Sequence, residues 1–159
     1  MKLRGMLAED FVNYKKPSMF LIFPYCTFKC DKENGNKICQ NSSLINEPII
    51  EISEKDLIEL YIHNDISKSI ICGGLEPMDS FDDLLSFIQL LRTEYNCLDD
   101  VVIYTGYYES ELEKQLTELK KYDNIIIKFG RFIPNQSSHF DEVLGINLAS
   151  ENQYAKVIS

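Results

Sequence analysis

Runs of apolar residues with two different periods alternate along the chain, and the switches between them mark out its elements. Residues 18–25 (SMFLIFPY) form a short, nearly continuous apolar and aromatic stretch, the pattern of a buried strand. It breaks into a loop over 26–39 that carries Cys26, Cys30 and Cys39. Ser53 with Asp56 three positions later predicts a capped helix start, and Leu57, Ile58 and Tyr61 give that helix an apolar stripe of about three turns. Residues 68–72 (KSIIC) predict a second strand, ended by Gly73 and Gly74. Ser80 with Asp83 opens the clearest helix, in which Phe81, Leu84, Leu85, Ile88 and Leu91 keep helical spacing to about Tyr95. Residues 100–105 (DVVIYT) predict a third strand closed by Gly106, Leu112, Leu116 and Leu119 a helix to about Tyr122, and residues 124–128 (NIIIK) a fourth strand.

Strands alternating with helices of this length predict an α/β fold with a mainly parallel sheet, because parallel neighbours need a crossover that a helix supplies. With 159 residues the chain suits a single domain, residues 1–159. The tail after Gly130 is irregular in pattern, yet Phe132, Ile133, Val143, Leu144, Ile146 and Leu148 predict that it packs on the domain. In parallel α/β sheets reactive groups collect at the carboxyl ends of the strands. The cysteine loop, the Gly73-Gly74 turn and the Tyr104-Thr105-Gly106 turn all follow strand ends, so all three are expected on one face.

Composition narrows the classes. A net charge of −9 has the wrong sign for a nucleic-acid backbone or an anionic membrane surface, so neither partner is expected. No apolar stretch approaches the roughly 18–20 residues of a membrane span and none resembles a signal peptide, which predicts a cytoplasmic protein. Five cysteines, an odd number with three of them in one short segment, favour metal or redox chemistry over a disulfide framework.

Those three have the spacing C-x3-C-x8-C, in a loop whose Asn34, Gly35 and Asn36 let it fold the thiolates toward one centre. A structural zinc site wants four closed ligands, and His63 and His139 sit in unrelated segments. Three thiolates suit an iron-sulfur cluster with one iron left open; a zinc knuckle and plain burial of small residues are the alternatives. Cys72 and Cys97 read as structural. At 73–77 (GGLEP), Gly73 and Gly74 free the backbone to approach a ligand, and Glu76 can accept hydrogen bonds from an ammonium, while an ordinary strand-to-helix turn explains the same residues. The chain has no P-loop, dinucleotide fingerprint or serine-hydrolase elbow.

Taken in order, these residues resemble the radical S-adenosylmethionine enzymes, and among them the activating proteins of anaerobic ribonucleotide reductase. Cys26, Cys30 and Cys39-Gln40-Asn41 are similar to the family's cluster cysteines, and 73–77 (GGLEP) to its G-G-[DE]-P motif. Residues 104–107 (YTGY), 129–133 (FGRFI) and 150–153 (SENQ) resemble segments of the reductase activators. The resemblance implies a partial (βα) barrel, a 4Fe-4S cluster on Cys26, Cys30 and Cys39, and S-adenosyl-L-methionine bound by Gly73, Gly74, Glu76, Tyr104, Thr105 and Gly106. It further implies glycyl-radical generation on the large subunit of anaerobic ribonucleotide reductase, with an electron donor such as flavodoxin or ferredoxin.

Five features depart from the family's pattern. Eight residues separate Cys30 from Cys39 where two are usual, and Ile38 stands where an aromatic residue is common. Leu75 splits the glycine-acid-proline motif, Lys128 and Phe129 occupy the place of an acid before Gly130, and residues 14–18 (YKKPS) replace a glycine-rich N-terminal segment. Two rival functions stay open on these grounds: a radical enzyme acting on another protein or peptide, and a non-enzymatic zinc or iron-sulfur module on the same scaffold.

Overall fold

The computed structural model describes residues 1–159. In chain order the elements are β1 (Lys2–Leu3), β2 (Gly5–Asp10), β3 (Ser18–Phe23), α1 (Lys29–Asn34), β4 (Ile50–Glu51), α2 (Glu54–Ile62), β5 (Ser69–Gly74), α3 (Phe81–Thr93), β6 (Asp100–Tyr104), α4 (Glu113–Leu119), β7 (Ile125–Phe129), β8 (His139–Asp141), β9 (Ile146–Leu148) and β10 (Tyr154–Val157). Six strands form one sheet in the order β10-β7-β6-β5-β3-β2. The four central strands are parallel, and β2 and β10 form the two edges, each antiparallel to its neighbour. The protein is thus mixed α/β with a large, mostly parallel sheet, and β2 and β10 leave that sheet open at its two edges. No helix is long and apolar enough to cross a membrane.

Strand residues divide by parity between two apolar cores, as the two-residue period of a strand requires. Leu21, Ile70, Cys72, Val101, Ile103, Ile125 and Ile127 face one way and pack with Leu57, Ile58, Leu84, Phe87, Ile88, Leu116 and Leu119 of the helices. Ile71, Val102 and Ile126 face the other way and meet Tyr14, Leu144 and Leu148. All three long crossover helices therefore lie on one face. Strands β3, β5, β6 and β7 are added in one direction across the sheet, and crossovers of one hand then pass over the same side each time.

Several element boundaries differ from the sequence expectation, each for a local reason. Gly73 and Gly74 are the last residues of β5 and do not end it early; they pair with Ile22 and Phe23 of β3. Ser53 caps α2 as expected, its Oγ accepting the Asp56 amide at 3.1 Å. Ser80 caps nothing, and its buried hydroxyl has no partner. A 3-10 turn over Pro77–Ser80 runs straight into α3, so the capping role falls to Glu76, whose carboxylate accepts the Met78 amide at 3.1 Å. The tail is more regular than its pattern suggested: β8 and β9 form a hairpin over the second face, and β10 pairs with β7. Its alternation is weak because β10 is an edge strand, with Tyr154, Lys156 and Val157 exposed.

Phe87 is fully buried on α3, with no contribution to the cysteine loop. Phe87→Ala is expected to lower the unfolding free energy by about 3–5 kcal/mol in denaturant titration, the range for an aromatic side chain deleted from a packed core.

Candidate metal and cofactor site

The carboxyl ends of the four parallel strands meet at one cavity of about 460 Å³, within the roughly 300–1,000 Å³ usual for small-molecule sites. Cys26, Cys30 and Cys39 line it from the segment after β3, Gly74, Leu75 and Glu76 from the end of β5, Tyr104, Thr105 and Gly106 from the end of β6, and Lys128, Gly130 and Phe132 from β7 and beyond. Of the nine residues that the resemblance assigns to the cluster and to S-adenosylmethionine, only Gly73 stands apart. A Cβ there would sit 3.1 Å from Phe20 and 3.3 Å from Tyr104, so its smallness serves close packing of the sheet's second face.

Glu76 is the polar centre of the cavity. Its Oε1 accepts the Thr105 hydroxyl at 2.7 Å and its Oε2 the Gly106 amide at 2.8 Å, in addition to the Met78 amide. Burial still outweighs these bonds and pushes the carboxyl up to about 7. The extra residue Leu75 does not turn Glu76 away from the cavity. Gly74 takes a left-handed turn at φ 80°, Leu75 is buried in the cavity wall, and the Glu76 amide is fixed on Tyr25 O at 2.8 Å.

The cysteines sit half-buried on a short frame. The Phe28 amide donates to Cys26 Sγ at 3.2 Å, and Phe28 itself adopts a left-handed conformation at φ 51° as the chain enters α1. Cys30 lies on α1, and Cys39 follows a turn that brings it close enough to raise the pKa of both other thiols. Desolvation is the larger cause in all three; with Glu76 and Asp79 adding to it, the Cys26 thiol is pushed up to about 12. Any metal loaded here must displace those protons.

No three Cys, His, Asp or Glu side chains converge tightly enough to hold a single ion, whereas a closed zinc site draws four ligands to one point. Three thiols spread around a shared cavity suit a cluster, whose irons are bound one per corner. Gly106 supports the same fit: a Cβ on it would lie 3.5 Å from Glu76 Oε2 and 3.7 Å from Cys30 Sγ, so its absence keeps the space between carboxylate and thiol clear.

Three supporting residues were given no role at the site by the sequence. Asp79 accepts the Thr27 amide at 2.7 Å and the Tyr107 hydroxyl at 2.6 Å, which ties the cysteine loop to the turn after β6. Arg131 is nearly buried and forks onto Glu111 at 2.7 and 3.0 Å, reaches Glu33 of α1 at 2.6 Å and the Gly106 carbonyl at 2.9 Å, and stacks over Tyr108. The pair holds the Glu111 carboxyl down at about 2 and raises the guanidinium further. Lys128, buried on β7, donates to Gly130 O at 2.9 Å, and desolvation brings its ammonium down to about 8. Its apolar neighbours Ile126 and Ile127 gave no hint of a cavity-lining charge.

The segments 129–133 and 150–153, separate in sequence, are one contact. Gln153 accepts the Ala149 and Ser150 amides at 3.1 and 3.2 Å and donates to Gly130 O at 3.3 Å, while Asn152 Nδ2 donates to Arg131 O at 2.7 Å. Gly130 needs its φ of 99° here, with Asn152 O only 3.0 Å from where a Cβ would stand.

Two outcomes follow for the isolated protein. After anaerobic reconstitution it should bind about four irons per chain, and Cys26→Ala, Cys30→Ala and Cys39→Ala should each abolish the iron-sulfur absorption, while Cys72→Ala and Cys97→Ala keep it. Without metal, Glu76 binds its proton more tightly folded than unfolded, so its contribution to stability falls as pH rises from about 4.5 to about 7. Glu76→Gln lacks this loss; between pH 5 and pH 8 its unfolding free energy should gain on that of the native protein by on the order of 1–3 kcal/mol, read by denaturant titration at each pH.

No curated protein and no solved structure matches the chain. One family does: the model described as a 4Fe-4S single cluster domain matches residues 17–154, from the start of β3 into β10 and across every residue of the cavity wall contributed by the four parallel strands. The cysteine-lined cavity at the strand ends and the match over most of its length agree, and the chain belongs to the 4Fe-4S single cluster domain family.

Proposed function

We propose that this iron-sulfur protein is a radical S-adenosylmethionine enzyme that generates a glycyl radical on the large subunit of an anaerobic ribonucleotide reductase. The observation that carries the reading is a buried carboxylate, Glu76, in the same cavity as three cysteines, at the carboxyl ends of neighbouring strands. Cys26, Cys30 and Cys39 would hold the cluster and leave one iron without a protein ligand. When bound, the cluster supplies the electron that splits S-adenosylmethionine into methionine and a 5′-deoxyadenosyl radical, which takes a hydrogen atom from the partner's glycine.

The chain's own residues suit the cosubstrate's polar end. A carboxylate has about four acceptor sites, and Glu76 uses three on Thr105, Gly106 and Met78, which leaves one for an ammonium. An ammonium beside it favours the charged carboxylate and offsets the cost of burial. Lys128 presents a buried cation whose Nζ makes a single hydrogen bond, and a carboxylate is its natural complement. Leu44, Leu75 and Phe132 add apolar wall, which excludes water from a reactive radical. The partner and an electron donor such as flavodoxin or ferredoxin enter on the resemblance of residues 104–107, 129–133 and 150–153 to the reductase activators.

The test is anaerobic reconstitution, reduction in the presence of S-adenosylmethionine, and assay of 5′-deoxyadenosine. Glu76→Ala should weaken S-adenosylmethionine binding by about 1.5–3 kcal/mol, the worth of one charge-assisted hydrogen bond, at unchanged iron content. With the reductase of the same genome, a glycyl-radical EPR doublet is expected that vanishes when the target glycine is changed to Ala. Cleavage without that doublet assigns the chemistry to another protein or peptide. A stable cluster with no cleavage leaves a non-enzymatic iron-sulfur module.

A further inference from the structure

The eight residues between Cys30 and Cys39 must return the chain to the cavity, and a flexible segment of that length would leave the third thiol wandering. The structure closes it on one side chain. Helix α1 ends at Gly35, which turns left-handed at φ 76° and donates its amide to the Asp31 carbonyl at 2.9 Å. The chain then doubles back, and Oδ1 of the same Asp31 accepts the amides of both Ile38 and Cys39 at 2.8 Å each. The residue that follows Cys30 thus fixes the backbone of Cys39, and Glu33, two positions on, docks the folded loop on Arg131.

We propose that Asp31 is a positioning residue for the cluster: it sets the third cysteine in place across the long gap and makes the bound cluster harder to reduce. The proposal rests on Cys26, Cys30 and Cys39 being the ligands. The first half is geometric, since a single carboxylate oxygen taking two backbone amides is a strong, directional staple. The second half is electrostatic. A fixed negative charge beside Cys39 opposes the arrival of an electron, and by engaging the Cys39 amide it withholds that donor from a sulfur, whose hydrogen bonds would favour reduction. The reduced cluster is then the stronger one-electron donor.

Two substitutions separate the halves. Asp31→Ala removes the staple, and Asp31→Asn keeps the acceptor oxygen but not the charge. With the reconstituted full chain, Asp31→Ala should lose iron to a chelator at least about tenfold faster than the native protein, whereas Asp31→Asn should stay within about twofold of it. The midpoint potential of the Asp31→Asn cluster should rise, followed by EPR during redox titration. Both variants without metal should still unfold in one cooperative thermal transition, because Asp31 lies outside both apolar cores. Equal iron retention in Asp31→Ala, or equally fast loss in Asp31→Asn, overturns the positioning role, and an unchanged potential overturns the electrostatic one. Cys39→Ala run alongside reads the ligand assignment separately: full iron retention there overturns the assignment and the proposal together, whereas iron loss in Cys39→Ala beside native retention in Asp31→Ala overturns the proposal alone.

Discussion

A buried carboxylate needs its partners in place, and in this protein the need joins the ends of neighbouring strands. Glu76 leaves β5, yet two of its three hydrogen bonds go to Thr105 and Gly106 at the end of β6. Asp79, one turn further, holds the cysteine loop after β3 and the Tyr107 hydroxyl together. Three of the four parallel strand ends are therefore coupled through two acids, and a shift of β6 would leave the buried Glu76 carboxylate short of partners, which costs about 1–3 kcal/mol. The cavity keeps its shape because its polar groups hold one another.

The fourth strand end is held from the other side of the chain. Arg131 follows β7 and binds Glu33 of the cysteine loop, Glu111, and the carbonyl of Gly106, so one guanidinium spans three of the segments that build the site. Asn152 and Gln153 in turn hold the backbone from Gly130 to Arg131. Lys128 is the exception within this web: a buried cation with a single partner, spared from use in the scaffold. The cost of that burial is visible in its lowered pKa, with Glu76 and Cys30 acting in the opposite direction.

The two sheet faces have different tasks. Helices cover one with the larger core. The second is covered by Tyr14 and the β8–β9 hairpin, whose Leu144 and Leu148 complete a small core beneath the cavity. Residues 146–149 also reach the cavity wall, so the tail both roofs the sheet and shapes the site.

The alternation of periods was enough to specify the four parallel strands and three long helices, because each buries an apolar face and so repeats on its own period. The cysteine spacing and the GGLEP and YTGY turns were legible for a similar reason, as sulfur ligands, glycines and an acid at strand ends are rare chemistry in a fixed order. The weaker strands were not. Strands β1 and β10 take their structure from hydrogen bonds to strands distant in sequence, β2 from the adjacent β3, and an edge strand has no pattern strong enough to declare itself. The same limit hid the contacts of Asp79, Lys128 and Arg131. Sequence alone determined which groups could do chemistry; the tertiary structure decided which of them meet, because hydrogen-bond partners, burial and the resulting pKa shifts exist only once strands separated by tens of residues lie side by side.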